Sequence, residues 1–326
     1  LPIFRLEESM KIIDDHHQII CRYKGHKIDK IRDISKDFFN EKGMIMELHH
    51  TRKTKPIKNK VKDIYSNEYK SMQEEVKLFN EHDVLLLPTV NVYTNILGEC
   101  NLNIIDSTQV KELPSFVIGN GTEFLKAHRY SQTSNNLTIR LDDIKVDGLN
   151  VSLHTSRKYY FHMLWTNRCM DYKLDCDMSV REIYEFNKTV SYLRDSKLSN
   201  QIGINGMIIT KDGYLLIEKR DHRKTTWKNK FAQPISLALK ASDLGLENDT
   251  LMNDSVEYAN KKLLGVIKKT MLDNFGLVED DYETLDLSKT FLGLARDLLE
   301  GGKPNLYFSV TVNYTKDEFV KLLAKN

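Results

Sequence analysis

The chain has few cysteines, and their positions exclude the common cysteine frameworks. They are Cys21, Cys100, Cys169 and Cys176 in 326 residues. They lack the paired short spacings of a zinc site and the density of a small disulfide-linked domain. Cys169 and Cys176 also form no recurring metal-ligand spacing with His162, so buried thiols are expected there. The sequence therefore predicts free thiols in a reducing, intracellular compartment.

Long hydrophobic runs and a strong net charge are also missing. The longest apolar runs, such as residues 84–87, are much shorter than a bilayer requires, so no membrane span is expected. The formal net charge of +2 gives too weak a field to indicate nucleic acid as the main partner. A chain of 326 residues with 40% hydrophobic residues is long enough for two folded domains.

The first part of the chain alternates strand-like and helix-like patterns. Strand-like segments occur at residues 18–23, 44–48 and 84–87, and amphipathic helical patterns occur at residues 28–38 and 69–79. This β-α-β-α-β order predicts a small α/β-like N-terminal domain over residues 1–135.

Two aspartate-glycine pairs mark predicted hairpins. Asp147-Gly148 lies within alternating residues at 137–155, and Asp212-Gly213 separates apolar strands at 206–210 and 214–219. The Asp-Gly pair suits the positive φ angles of a tight turn. The first hairpin belongs to a connecting segment at residues 136–200, and the second opens a C-terminal domain at residues 201–326.

A glycine-rich stretch, Gly119-Asn120-Gly121-Thr122, follows a strand-like segment at residues 115–118 and precedes a predicted helix. Its amides could hold an anion. A tight turn with Thr122 as the helix N-cap accounts for the same residues, and this is the interpretation that we favour.

Two capping boxes predict helices in the C-terminal domain. The first, Asp254-x-x-Glu257, opens a long helix that ends at Gly276, and the second, Thr315-x-x-Glu318, opens a short helix after a strand at residues 306–312. One face of the long helix is apolar, with Val256, Leu263, Ile267 and Met271 at helical spacing.

Several C-terminal segments occur in a characteristic order. They are residues 157–168 (RKYYFHMLWTNR), 202–220 (IGINGMIITKDGYLLIEKR), 291–296 (FLGLAR) and 301–310 (GGKPNLYFSV). Together they resemble the Nudix hydrolase family, and within it the branch that contains UDP-glucose pyrophosphatase. The resemblance covers about half of the chain and implies a Nudix-type α/β/α sandwich with a mixed sheet at residues 201–326.

The family signature places several carboxylates on one helix, where they hold Mg²⁺ ions that polarise a diphosphate and activate water. Counting back from Gly276 places the Glu-Glu pair of the signature on Asp273 and Asn274. The preceding Arg-Glu pair falls on Lys269 and Thr270. Only Asp273 retains a carboxylate, so neither metal-dependent hydrolysis nor a cofactor is expected.

This degenerate Nudix box predicts a pseudoenzyme: a catalytically impaired Nudix-fold protein that acts as a binding or structural subunit, with other protein subunits as its partners. The alternative is an active diphosphatase for nucleoside-diphosphate sugars. Its Mg²⁺ or Mn²⁺ would then need carboxylates from outside the box, and the candidates are Asp243, Glu247, Glu257 and Glu279.

Two groups of residues are candidates for ligand contact. Trp227, Lys228, Lys230 and Arg296 could bind a nucleotide or nucleotide-sugar, although Trp227 suits a packing role equally well. A basic stretch could contact phosphate or RNA and comprises Arg52, Lys53, Lys55, Lys58, Lys60 and Lys62. No aromatic residue is interleaved with these cations, which favours a solvated loop over a nucleic-acid site.

Overall fold

The computed structural model describes residues 65–66, 89–95, 98–125, 134–174, 178–186, 189–219, 231–246 and 256–324. The strands and helices predicted at residues 18–87 lie outside the described residues, as does the basic stretch. Within the described part the protein has a mixed α/β architecture, which confirms the predicted class. No described helix is long and apolar enough to cross a membrane.

The described strands form three separate sheets. In chain order they are β1 (Thr89–Thr94), β2 (Asn101–Val110), β3 (Leu137–Asp147), β4 (Asn150–Tyr159), β5 (Gly203–Thr210), β6 (Glu218–Lys219), β7 (Phe231–Ala232), β8 (Ile235–Ala238), β9 (Phe291–Asp297) and β10 (Lys303–Val312). A five-stranded sheet has the order β1-β9-β10-β5-β8, a three-stranded sheet the order β2-β4-β3, and β6 pairs with β7. Both larger sheets are mixed, because β10 runs parallel to β5 and β2 runs parallel to β4 while the other pairs are antiparallel.

The helices are mostly short. They are α1 (Ser115–Gly119), α2 (Gly121–Leu125), α3 (Tyr160–Trp165), α4 (Val180–Tyr184), α5 (Val256–Phe275), α6 (Leu287–Thr290) and α7 (Lys316–Leu323). Within the described part of the chain, three short 3₁₀ helices add Asn167–Cys169, Ser242–Leu244 and Glu279–Asp281.

The long helix α5 confirms the predicted apolar face and the predicted end. Leu263, Ile267 and Met271 are buried in the core. Gly276 has a φ of +67°, and its amide donates to the Leu272 carbonyl at 2.9 Å. A residue without a Cβ adopts this left-handed conformation at little cost, which is why the helix stops there. Asp254, the first residue of the predicted capping box, lies outside the described residues.

The capping box of α7 is confirmed in full. The Glu318 amide donates to Thr315 Oγ1, and the Thr315 amide donates to Glu318 Oε2 at 2.8 Å. These reciprocal bonds satisfy two backbone donors that a helix start leaves unpaired. Phe319 then anchors the helix in the core.

The two predicted hairpins differ in extent. β3 and β4 pair from Leu137 with Tyr159 to Asp147 with Asn150, which confirms the first hairpin. At the second, Gly213 adopts a φ of +84° in the predicted turn. The returning chain makes only a bridge to β5 before β6 pairs with β7, so this hairpin is shorter than predicted.

The strand predicted at residues 115–118 is wrong. These residues form α1, because Pro114 provides a pre-set φ and a carbonyl that accepts from the amides of Val117 and Ile118. Thr122 is not the N-cap of the next helix either. α2 begins at Gly121, and the amides of residues 123 and 124 donate to the Asn120 carbonyl.

One hydrophobic core joins both larger sheets and α5. It includes Leu102 and Leu153 from the three-stranded sheet and Ile204 and Leu306 from the five-stranded sheet. β3 links the sheets, since the Ile202 amide donates to the carbonyl of residue 139 at 2.9 Å. Described residues from all three predicted segments, 1–135, 136–200 and 201–326, thus contribute to the same core. The predicted domain boundaries after residues 135 and 200 stay predictions.

Candidate functional site

The degenerate Nudix-box positions lie on the last turns of α5. Asp273 and Asn274 are exposed and Lys269 is exposed one turn earlier, while Met271 on the opposite face is fully buried. Thr270 is half-buried, and its hydroxyl donates to the Val266 carbonyl at 2.7 Å. That bond is internal to the helix, so the Thr270 hydroxyl proton is already used.

The carboxylate that remains, Asp273, is paired with a lysine. Lys269 Nζ donates to Asp273 Oδ2 at 2.5 Å, as expected for residues four apart on a helix. The hydrogen bond and the charge of Asp273 raise the pKa of Lys269. The neighbouring Lys268 pairs with Glu279 at 2.7 Å. Two ammonium groups therefore surround the end of α5.

The other carboxylates considered for a metal site are partly accounted for. Asp243 Oδ2 accepts from the Lys240 amide at 2.8 Å at the start of a 3₁₀ helix. Glu279 is engaged by Lys268. Glu247 and the side chain of Glu257 lie outside the described residues. In the described part of the chain, no three or more His, Cys, Asp or Glu side chains come together as a possible metal site.

Arg296 is the one predicted ligand-contact residue that the structure describes. It lies on β9 and is 5% exposed. Its Nε donates to the Gly302 carbonyl and its Nη1 to the Ser191 carbonyl, both at 2.7 Å. The guanidinium thus connects the β9–β10 turn to the segment before β5. Trp227, Lys228 and Lys230 lie outside the described residues, and the ligand role of all four stays a prediction.

The β9–β10 turn is the centre of a buried polar network that the sequence did not predict. Arg181 on α4 binds Asp171 through two nitrogens, at 2.8 and 2.9 Å. It also donates to the carbonyls of Leu298 and Leu299 in the turn. Arg168 pairs with the Glu300 carboxylate, also in the turn.

The same network extends to Tyr65, which contacts Arg181 on α4 and Glu185 directly after that helix. Its hydroxyl donates to Glu185 Oε2 at 3.2 Å, and its ring lies 5.7 Å from the Arg181 guanidinium carbon. Burial lowers the pKa of Arg181, but Asp171, Tyr65 and Glu185 together raise it by more, and the net shift is upward. The arginine therefore stays charged inside the protein.

Lys303, directly after the turn, is buried among polar partners. Its Nζ donates to Asn305 Oδ1 at 3.0 Å and lies 3.9 Å from Glu300 Oε2. Burial and the charge of Arg168 lower the pKa of Lys303 to about 7. Burial also raises the pKa of the adjacent Asp297 carboxyl.

Gly203 on β5 makes room for these side chains. It lies opposite Asn305 in the parallel β5–β10 pair. A Cβ at this position would lie 2.2 Å from Asn305 Oδ1 and 2.8 Å from Lys303 Nζ. The packing of the buried cluster therefore requires a glycine at position 203.

A sequence signal for this cluster existed but was too weak to interpret. Lys303 and Asn305 are polar residues two apart in an apolar strand, so they share one face of the sheet. Asn205, two residues after Gly203, follows the same pattern, and its Oδ1 accepts from Gln233 Nε2 at 2.7 Å. The placement of Gly203 against Asn305 and of Gln233 against Asn205 depends on pairing between separate segments of the chain, which a single sequence does not reveal.

Comparison with known proteins does not extend the assignment beyond a mixed α/β protein. No protein-family model matches the chain, and no curated protein sequence matches it. The Nudix resemblance therefore rests on the quoted segments alone.

Proposed function

We propose that this protein is a catalytically impaired Nudix-fold protein that acts as a binding or structural subunit of a larger assembly. The supporting observation is the ion pair between Lys269 and Asp273 on the exposed end of α5. Of the matched Nudix-box positions, only Asp273 provides a carboxylate, and a lysine ammonium already lies against it.

The physical reason is the charge that the family's chemistry needs. A Mg²⁺ ion is bound through carboxylates and keeps several waters, so a helix end that carries one carboxylate is a weak site. Lys269 and Lys268 neutralise Asp273 and Glu279, so neither carboxylate is left with an uncompensated charge to attract a divalent cation. Carboxylates from residues 247–257 would have to reverse this balance for the active alternative to hold.

A binding or structural role is also supported by apolar side chains near the same helix end. Leu272 and Val278 are 52% and 53% exposed, and they lie on either side of the helix terminus in sequence. A partner that covered them would gain free energy from burying their apolar surface. Partner binding at this end of α5 does not require catalytic turnover.

The test is a turnover assay with UDP-glucose and ADP-ribose in the presence of Mg²⁺ or Mn²⁺. We expect no product above the rate without protein. Turnover at an enzyme-like rate that Asp273→Asn abolishes, while the control Asp317→Asn on α7 preserves it, would establish the active alternative. In native extracts, size-exclusion chromatography with mass detection should place the protein well above its 38.0 kDa chain mass. A monomer there would contradict the subunit role.

A further inference from the structure

A cavity of about 430 Å³ lies away from the Nudix-box positions, and cationic side chains dominate its lining. It opens where the end of β2, the strands β3 and β4, and the segment at residues 194–198 meet. The cations are Lys111, Arg140, Lys158, Arg194 and Lys197, and Glu112 is the acidic lining residue.

The β3–β4 register brings two of these cations together in the protein interior. Arg140 lies opposite Ser156, and Lys158 lies opposite Thr138, so Arg140 and Lys158 are diagonal neighbours on the same face. Arg140 is 3% exposed and Lys158 is 1% exposed. Two like charges buried side by side are costly unless partners compensate them.

Arg140 is compensated by partners within the chain. Its guanidinium pairs with Asp142 and donates to the carbonyls of Leu193 and Ser196 at 3.2 and 2.9 Å. These bonds fix the segment that forms one wall of the cavity. Arg140 therefore positions the site and has little capacity left for a ligand.

Lys158 is the buried cation of the cavity that no described carboxylate pairs with directly. An ammonium has three protons to donate, and its one hydrogen bond within the described part of the chain goes to the Glu112 carbonyl, at 2.8 Å. No carboxylate of the described residues forms an ion pair with it. Burial and the charges of Arg140 and Lys111 lower the pKa of Lys158 to about 7, although the more weakly acting charge of Glu112 opposes the shift. A bound anion would supply the missing charge and acceptors.

The remaining cations lie toward the solvent. Lys111 Nζ lies 2.7 Å from Asp142 Oδ1, and the same carboxylate pairs with Arg140. Arg194 is 65% exposed and lies 3.8 Å from Asp195, which is a loose pair. Lys197 is exposed and forms no ion pair among the described residues. Long exposed cations at a cavity entrance attract anions and can close over them.

We propose that this cavity binds a small, non-aromatic phosphorylated compound, such as a sugar phosphate, with its phosphate group on Lys158 and with Arg194 and Lys197 at the entrance. Phosphate suits the site because it carries up to two charges and several acceptor oxygens. The cavity volume lies in the range of small-molecule sites and leaves room beyond one phosphate. Among the described lining residues are Leu113, Pro114 and Leu198 but no aromatic ring on which a base could stack.

The site is independent of the proposed loss of hydrolysis at α5, and its test is a binding measurement. Isothermal titration of the full chain with glucose 6-phosphate should give saturable binding with one site per chain, and glucose should give none. The double variant Arg194→Ala/Lys197→Ala changes only exposed side chains and should weaken binding at least tenfold. The control Lys261→Ala, at an exposed position of α5, should leave the affinity unchanged.

Lys158→Met gives the most specific result. It should abolish binding of glucose 6-phosphate and raise the melting temperature of the free chain, because a buried cation without a counter-charge is removed. A merely structural lysine would lower the melting temperature instead. The proposal is wrong if glucose 6-phosphate and inorganic phosphate both fail to bind at millimolar concentration. It is also wrong if binding survives both variants, or if only an RNA oligonucleotide binds.

Discussion

The end of α5 and the β9–β10 turn both contain ion pairs, but in opposite surroundings. In the Lys269–Asp273 pair the side chains are 72% and 51% exposed, whereas in the Arg181–Asp171 pair they are 1% and 17% exposed. Water and salt screen the first pair, so it adds little to folding. The second pair is largely shielded from water, and each member depends on the other.

The residues that the sequence identifies as functional candidates are therefore different from the residues on which the fold depends. The Nudix-box positions form a recognisable pattern, yet their side chains make few contacts beyond α5. The network around the turn has no motif, but it connects α4, β9 and β10 through buried charges. Three substitutions test the comparison, starting with the one expected to have the largest effect.

Arg181→Ala should destabilise the protein by about 3–5 kcal/mol, because it leaves Asp171 and two backbone carbonyls of the turn without their charged partner. The free energy of unfolding from urea denaturation measures this. Arg181→Lys is the matched variant: it keeps the charge but loses the two-pronged contact, so an intermediate loss is expected. If Arg181→Ala lowers the free energy of unfolding by less than about 1 kcal/mol, the buried Arg181–Asp171 pair contributes no more to stability than an exposed pair does.

Gly203→Ala should destabilise by about 1–3 kcal/mol, because the new methyl group overlaps Asn305 and Lys303. The matched control is Gly265→Ala on α5, where a Cβ would meet nothing within 4 Å. That substitution should stabilise by about 0.5–1 kcal/mol, since alanine favours a helix over glycine. Equal effects of the two substitutions in thermal or urea unfolding would contradict the packing requirement at Gly203.

Patterns that depend on neighbours along the chain were predictable from the sequence. The first hairpin, α5 with its glycine end and the α7 capping box all follow from local turn chemistry or from periodicity. The strand at residues 115–118 failed because Val117 and Ile118 favour strands locally, while Pro114 and the burial of Val117 favour a helix turn. Local propensity is a weak guide in segments this short.

The buried sites were not predictable for a different reason. Arg181 and Asp171 are ten residues apart, and Arg181 reaches Leu299 across more than a hundred residues. Arg140 and Lys158 face one cavity only because a particular strand register places them there. A slip of one residue would put either side chain on the other face. Composition and spacing in one sequence do not fix that register.

Asp273→Asn should have the smallest effect. The substitution removes the charge paired with Lys269, but both groups are exposed and water replaces the lost contact. We therefore expect no shift of the urea midpoint beyond measurement error, at low or at high salt. Asn at this position also preserves the shape of the side chain, so the packing of Met271 on the buried face is untouched. A clear loss of stability that disappears at high salt would mean that the Lys269–Asp273 pair matters for folding, and the contrast with Arg181 would then be one of degree.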